Sequence, residues 1–373
     1  MVVANAAEAA PYRPARDAEV LERLPAELRS GMFRQSPRAG GKTDPNVAAT
    51  LAKIYIERSR READPRFLGY AQGLLLPWWT AADAPPELML LRATIKQARH
   101  EFQSALEDLE LVLREKPDLA QAWLTQATVL RVLGRFEEAV AACARLRDTA
   151  DPTIAGVCHW SVAGSSGQLA QAYAELMKLN DGRLAATPEL AAWLAAELGD
   201  MAERLGRPTA AEVHYRAGLD HSSGDFGLRA AYADLLLDLR RPREVLVLVN
   251  GLDAADAMRL RRALALHQLA DPAFAALDAE IEAGFANAHL RGEELHLREE
   301  SRYALRAHGD AARALHLAQV NWNTQRESAD ARVLLDAAHA AAQPAAAQAV
   351  LEFLKASGMQ DERLMTYRER GAP

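Results

Sequence analysis

The 373-residue chain reads as an all-α helical-repeat solenoid, and three observations predict this. The first is a period of 34 residues: Phe102 and Phe136 lie 34 apart, as do Ala105 and Ala139. A period in the range of about 20–50 residues marks a solenoid, in which each helix pair buries its apolar face against the next. The second is composition. Alanine abounds, aromatics are only 6%, and alanine has the highest helix propensity. The third is the lack of any run of alternating β-branched residues that would argue for a sheet.

The clearest unit reads Pro117-Asp118-Leu119-Ala120-Gln121-Ala122-Trp123, then Gly134-Arg135-Phe136, then Ala139. Small residues such as Ala127 and Ala139 suit places where two helices cross closely. Gly134 ends the first helix and can take a left-handed backbone. Pro117 cannot continue a helix and stops the preceding one.

Weaker copies extend both ways. Upstream, Asn46–Ala63 and Asp64–Leu76 read as one divergent pair. Downstream, Gly167 and Ala172 repeat the turn glycine and the alanine of the second helix. Gly199, Gly206, Ala211 and Tyr215 do so again. Pro208 and Pro242 are 34 apart, as are Ala211 and Val245; proline suits the first turn of a helix, where no backbone donor is needed. A pair over about Ala255–Gly284 turns at Asp271-Pro272. The next is centred on Gly309-Asp310, with Ala314 and Ala318 on its second helix, and the last surrounds Gln343-Pro344. Residues 153–187 and 285–295 break the spacing, which predicts local insertions there.

This pattern resembles the tetratricopeptide repeat (TPR) family. Trp123, Ala127, Gly134, Phe136 and Ala139, with Pro117 from the unit before, occupy the family's slots. The resemblance is specific over about 86–152, fair over 188–250 and loose elsewhere. It implies a right-handed superhelical solenoid of about eight antiparallel helix pairs over residues 45–373, preceded by an N-terminal extension and linker, partly disordered, over residues 1–44. It also implies a bacterial protein, exported or not, that binds a protein or peptide partner without being an enzyme. In this family the first helix of each pair lines a concave groove. Carried over, that register makes Thr94, Gln97, Thr128, Arg131, Asp200, Glu203, Asp234, Asp238, His267, Glu299 and Tyr303 the groove candidates. The early repeats would present a polar, partly basic wall and the middle ones an acidic wall that attracts a cationic peptide segment. Related modules that clamp acidic carboxylate tails use Lys and Asn; of Thr94, Gln97, Thr128 and Arg131 only Arg131 could serve, which argues against that role.

Net charge is -7 and the pI is near 5.9. That disfavours nonspecific nucleic-acid binding, which needs a basic face. Arg58-Ser59-Arg60-Arg61 is the densest basic run, and reads as a solvated helix end. No apolar stretch approaches the roughly 18 residues of a membrane span; Leu74–Trp79 is short and interrupted by Pro77. Trp78-Trp79 reads either as an exposed anchor or as a cap on the apolar end of the solenoid, and the cap is preferred. Trp160, Trp193 and Trp322 are expected in the core between repeats.

At the N-terminus, Val2–Pro14 lacks the cationic and apolar regions of a signal peptide. Ala4-Asn5-Ala6 and Ala7-Glu8-Ala9 look like small-residue cleavage ends, so a mature exported protein and a disordered Ala-rich start both stand. The corresponding locations are periplasmic or, alternatively, cytoplasmic. Residues 30–45 read as a Gly/Pro-punctuated linker. Within it, Gly40-Gly41-Lys42-Thr43 fails as a nucleotide loop, because Ser36 stands where a glycine is needed and no strand precedes it.

The two cysteines, Cys143 and Cys158, flank a turn around Asp148–Pro152, across which their sulfurs could meet. They read as a disulfide of an oxidising compartment or as two small buried residues at helix-packing slots. Neither reading makes a zinc site.

No nucleophile motif is present, and no cofactor or metal is expected. His100-Glu101-Phe102-Gln103-Ser104 lacks the second histidine of a zinc-protease helix. His289, Glu293, His296 and Glu300 would share one helix face, though Gly292 should interrupt it, and a solvated polar face is the preferred reading. A metal carrier or enzyme using His289–His308 is the weakest alternative. Self-assembly through the convex face or the Ala-rich C-terminus is the stronger one.

Overall fold

A computed structural model describes residues 44–180, 187–292, 296–365 and 367. The expectations for residues 1–43, and for Glu293, lie outside the described residues. Eighteen α-helices and no strands occur among the described residues. They form nine consecutive pairs: α1 (Pro45–Glu62) with α2 (Arg66–Leu75), α3 (Pro86–Ala98) with α4 (Phe102–Glu115), α5 (Ala120–Val132) with α6 (Phe136–Arg145), and α7 (Pro152–Ser165) with α8 (Leu169–Leu179). Then follow α9 (Pro188–Arg204) with α10 (Pro208–His221), α11 (Phe226–Asp238) with α12 (Pro242–Leu248), and α13 (Asp256–Gln268) with α14 (Phe274–Leu290). The last are α15 (Leu297–His308) with α16 (Ala311–Trp322), and α17 (Ser328–Ala340) with α18 (Gln348–Ser357). This is the TPR-like all-α solenoid that the repeat predicts, with nine pairs among the described residues where about eight are expected. No helix among the described residues is long and apolar enough to cross a membrane.

Every pair turns in the same way. One residue after the first helix takes a left-handed backbone: Ala63, His100, Gly134, Gly167, Gly206, Arg240, Ala270, Gly309 and Ala342. The next residue donates its N–H back to a carbonyl near the helix end, as Arg135 does to Leu130, Arg241 to Leu236 and Gln343 to Ala338. That is the Schellman closure of a helix C-terminus. Only four of these nine turns hold glycine, which is why the turn signal fades from the sequence in the others. Gly199, expected at a turn, lies instead inside α9, where a Cβ would come 2.1 Å from the Tyr215 ring. A left-handed non-glycine residue costs about 1–2 kcal/mol, and glycine gives back part of this by loosening the unfolded chain. Arg240→Gly and Ala270→Gly should therefore each stabilise the protein by about 0.5–1 kcal/mol in urea unfolding, whereas Gly134→Ala should destabilise it.

The spacing between these turn residues widens to 39 twice, from Gly167 to Gly206 and from Ala270 to Gly309. The widened units hold the segments after α8 and after α14, which is where the sequence pattern predicts insertions.

Cys143 of α6 and Cys158 of α7 are disulfide-bonded, with Cα atoms 5.6 Å apart and a sequence separation of 15. Both are buried. Closing a loop of this size contributes about 3 kcal/mol in the chain-entropy picture. Alkylation under denaturing conditions should label neither cysteine before reduction and both after it, and reduction should lower the unfolding midpoint.

The solenoid closes on itself. One continuous apolar core runs from Phe102, Phe136 and Val162 to Trp322, Val350, Leu354 and Leu364, so the last pairs pack on the third and fourth. The Phe136 and Phe353 rings lie 6.1 Å apart. The Arg326 N–H donates to the Val132 carbonyl at 2.8 Å. A Cβ on Gly134 would sit 2.8 Å from the Phe353 ring. Arg204 donates to the Gln360 carbonyl at 3.2 Å.

Candidate functional site

Closure turns the groove of an open solenoid into a central cavity of roughly 2540 Å³. Its wall is built chiefly from the first helices of the pairs: α1, α3, α9, α11, α13, α15 and α17. The first helices α5 and α7 are missing from the wall because the C-terminal pair and the segment after it lie over them.

Of the eleven groove candidates, Thr94, Asp200, Glu203, Asp234, Asp238 and Glu299 line the cavity. Gln97, Thr128, Arg131, His267 and Tyr303 do not. The Thr128 hydroxyl donates to the Leu124 carbonyl of its own helix. Arg131 is gripped by Glu197 at 2.9 Å and approached by Glu327 at 3.9 Å, beneath the closing segment. His267 is exposed at the end of α13, its ring 4.9 Å from that of Phe274. Tyr303 is 1% exposed and donates to Asp278 of α14 at 2.7 Å, so it belongs to the packing between α14 and α15.

The expected acidic wall is electrostatically spent. Asp238 meets Arg306 at 2.6 Å, Arg302 at 3.8 Å and also Arg332. Asp234 meets Arg261 at 2.8 Å and also Arg302. Burial alone would raise both carboxyls, but these guanidiniums outweigh it and hold both below the ordinary carboxylate range. The cationic side is a stripe at Arg298, Arg302 and Arg306, one helical turn apart on α15. Its i, i+4, i+8 spacing was legible in the sequence, but nothing there said that Arg302 and Arg306 meet α11 while Arg298 meets Glu327 and Asp330 beside α17. Asp200 keeps half of its side chain exposed beside Arg204.

Glu203 differs from its neighbours. It accepts from the Tyr215 hydroxyl at 2.6 Å and pairs with Arg363 at 2.7 Å. Burial nevertheless pushes its carboxyl up to about 7, Arg363 opposing. A carboxyl raised on folding binds its proton more tightly in the folded state. Its contribution is thus fully present below the unfolded value near 4.3 and is lost as pH rises through about 7. Glu203→Gln should therefore raise the melting temperature at about pH 8 and leave it nearly unchanged at about pH 4.5; Arg363 keeps a second partner in Asp361 at 2.7 Å.

The Trp78-Trp79 pair is half-buried between the first two helix pairs, both rings packed on the first core and Trp78 on the second as well. It seals a joint between pairs rather than capping the end of the solenoid. Trp322 is buried, and Trp160 and Trp193 pack against the core clusters, as expected. The predicted His289–Glu300 helix face does not form: α14 ends at Leu290, Gly292 is left-handed, and α15 starts at Leu297. His289 instead bonds Glu300 at 2.8 Å across the two helices, and His296 lines the cavity.

No family model matches the chain, and no curated protein matches it. Solved structures are similar to it. A tetratricopeptide repeat protein from Parabacteroides merdae is 16% identical, aligned over 68% of this chain and 98% of its own, with a TM-score of 0.39. The hetero-tetramer Cut9–Hcn1 of APC/C is 12% identical over 88% of this chain and 90% of its own, with a TM-score of 0.41.

Proposed function

We propose that this helical-repeat chain is a non-enzymatic interaction scaffold that takes a segment of a protein partner against the wall of its central cavity. The observation that carries the reading is the cavity itself: a space large enough for a peptide segment, lined by helices from seven of the nine pairs. The internal ion pairs at Asp234 and Asp238 argue against a partner that is chosen by an acidic wall. The partner is instead read by the exposed cavity-wall cations Arg60 and Arg61 at the end of α1.

Affinity capture with the intact chain tests this, set beside the variant Arg60→Glu, Arg61→Glu. These positions avoid Arg131, Asp200 and Asp234, whose replacement would break ion pairs to partly or fully buried partners. Loss of a captured partner by the folded variant supports the cavity; retention of the same partner removes it as the site.

A second reading is self-association through the convex side. Val213 of α10 and Val247 of α12 are 34 residues apart, at equivalent repeat positions, and are 61% and 78% exposed. Sedimentation across concentration separates the two: a mass that grows with concentration favours assembly, a constant monomer mass removes it. The buried disulfide supports a periplasmic or other oxidising location, which cell fractionation would test.

A further inference from the structure

We propose a divalent transition-metal site, suited to zinc, formed by Asp278, Glu282 and His308 on the side of the solenoid where α14 meets the end of α15. Asp278 and Glu282 are i, i+4 on α14 and project from one face of it. His308 is the last residue of α15. Ligand atoms of the three lie within 4.8 Å of one another. His308 Nε2 is 3.0 Å from Asp278 Oδ1 and 3.4 Å from Glu282 Oε1. Tetrahedral ligands about 2.1 Å from a zinc ion stand about 3.4 Å apart, so two of the three edges are already near the required length. One imidazole with two carboxylates is a donor set that zinc accepts.

Two further observations point to a cation. Glu282 Oε1 is buried, and no hydrogen bond reaches it. Its other oxygen is held by Arg313 at 2.8 Å, so the free one is turned towards His308. The surroundings also carry surplus negative charge. Asp278, Glu282 and the buried Glu300 share a single arginine, Arg313, which bridges Glu282 and Glu300. Three carboxylates thus gather round one guanidinium and the imidazoles of His289 and His308, and a divalent ion bound there adds positive charge beside them. Glu282 is also braced through its other oxygen by Arg313, the kind of support that orients metal ligands, and the Tyr303 hydroxyl fixes Asp278 by donating to the same Oδ1 that faces His308. His308 is partly exposed at 31%, which leaves a face for entry and for a water as fourth ligand.

The test is titration of untagged, chelator-treated protein with Zn²⁺ by calorimetry, and with Co²⁺ by visible absorption. The expected result is one equivalent bound, with the absorption bands of four-coordinate Co²⁺. His308→Ala should weaken binding at least about 10-fold while leaving the circular dichroism unchanged, and His221→Ala should not weaken it. Asp278→Asn is the second ligand variant, should His308→Ala disturb the fold. The site is overturned if no stoichiometric metal binds, or if His308→Ala and Asp278→Asn bind as tightly as the unaltered chain. Neither outcome bears on the cavity reading, which is tested at other residues.

Discussion

Asp108→Ala is expected to cost about 3–5 kcal/mol, the range for breaking a buried ion pair from one side. Asp108 is 4% exposed, as is Arg92. It accepts from Arg92 Nη2 at 2.6 Å and Nε at 2.8 Å, and lies 2.8 Å from Lys96 Nζ. Removing it leaves two cations in the packing between α3 and α4 with no countercharge. Arg92 also reaches the Trp78, Trp79 and Ala81 carbonyls at 2.5, 3.0 and 3.0 Å, so the loss spreads to the joint between the first two pairs. Neighbouring repeats stabilise each other through such joints. Urea unfolding should show the N-terminal pairs melting early, read by the fluorescence of Trp78 and Trp79. The exposed pair Lys178–Glu175 offers the contrast: Glu175→Ala should cost well under about 1 kcal/mol. A loss at Asp108 as small as that would show that the arginine finds water or other partners when its carboxylate is gone.

Asp238→Asn is expected to cost a similar amount, about 3–5 kcal/mol, because it removes the carboxylate on which Arg302, Arg306 and Arg332 converge and leaves the three only Asp234, on Arg302, and Asp336, on Arg332. Those arginines come from α15 and α17, so the carboxylate ties the sixth pair to the last two across the cavity. The ring should nevertheless stay closed. Its seam is apolar, joining Phe136 to Trp322, Phe353 and Leu354 in one core, and burial of such side chains is worth about 1.5–3 kcal/mol each. Small-angle scattering should therefore give the same radius for variant and parent while the unfolding midpoint falls. An expanded variant would mean that the ion pairs, not the seam, hold the ring. The pH dependence follows from the depressed carboxyl of Asp238. Its stabilisation is fully present above the unfolded value near 3.9 and is lost only as pH falls through the lower folded value. Between about pH 5 and 8 the closure should not respond to this group; the carboxyls that burial raises into that window are Glu203, to about 7, and Asp330, to about 6.

The two carboxylates show how far the candidate site could be read in advance. Repeat register placed Asp200, Glu203, Asp234 and Asp238 on the inward side of first helices, and the structure puts all four on the cavity wall. Register is local, so it could be counted along the chain. What neutralises them was not legible, because Arg332 lies 94 residues from Asp238 and Arg363 lies 160 from Glu203. Arg131 fails as a groove residue for the same reason: it had the right register, but a segment from the far end of the chain covers it.

The sequence by itself determined the helices, their pairing and their order. A 34-residue period, proline at helix starts and small residues at crossings act within a few turns of chain, where spacing decides what touches. It also placed the two cysteines close enough to bond, since one short turn separates them. Only the tertiary structure decided that the solenoid closes, that its inward acids are paired, and that Asp278, Glu282 and His308 converge. The last depends on how α14 packs on the next helix, α15, and the first two on the small rotation added at every joint between pairs. Such rotations accumulate over nine pairs, and a few degrees at each separates an open groove from a closed ring.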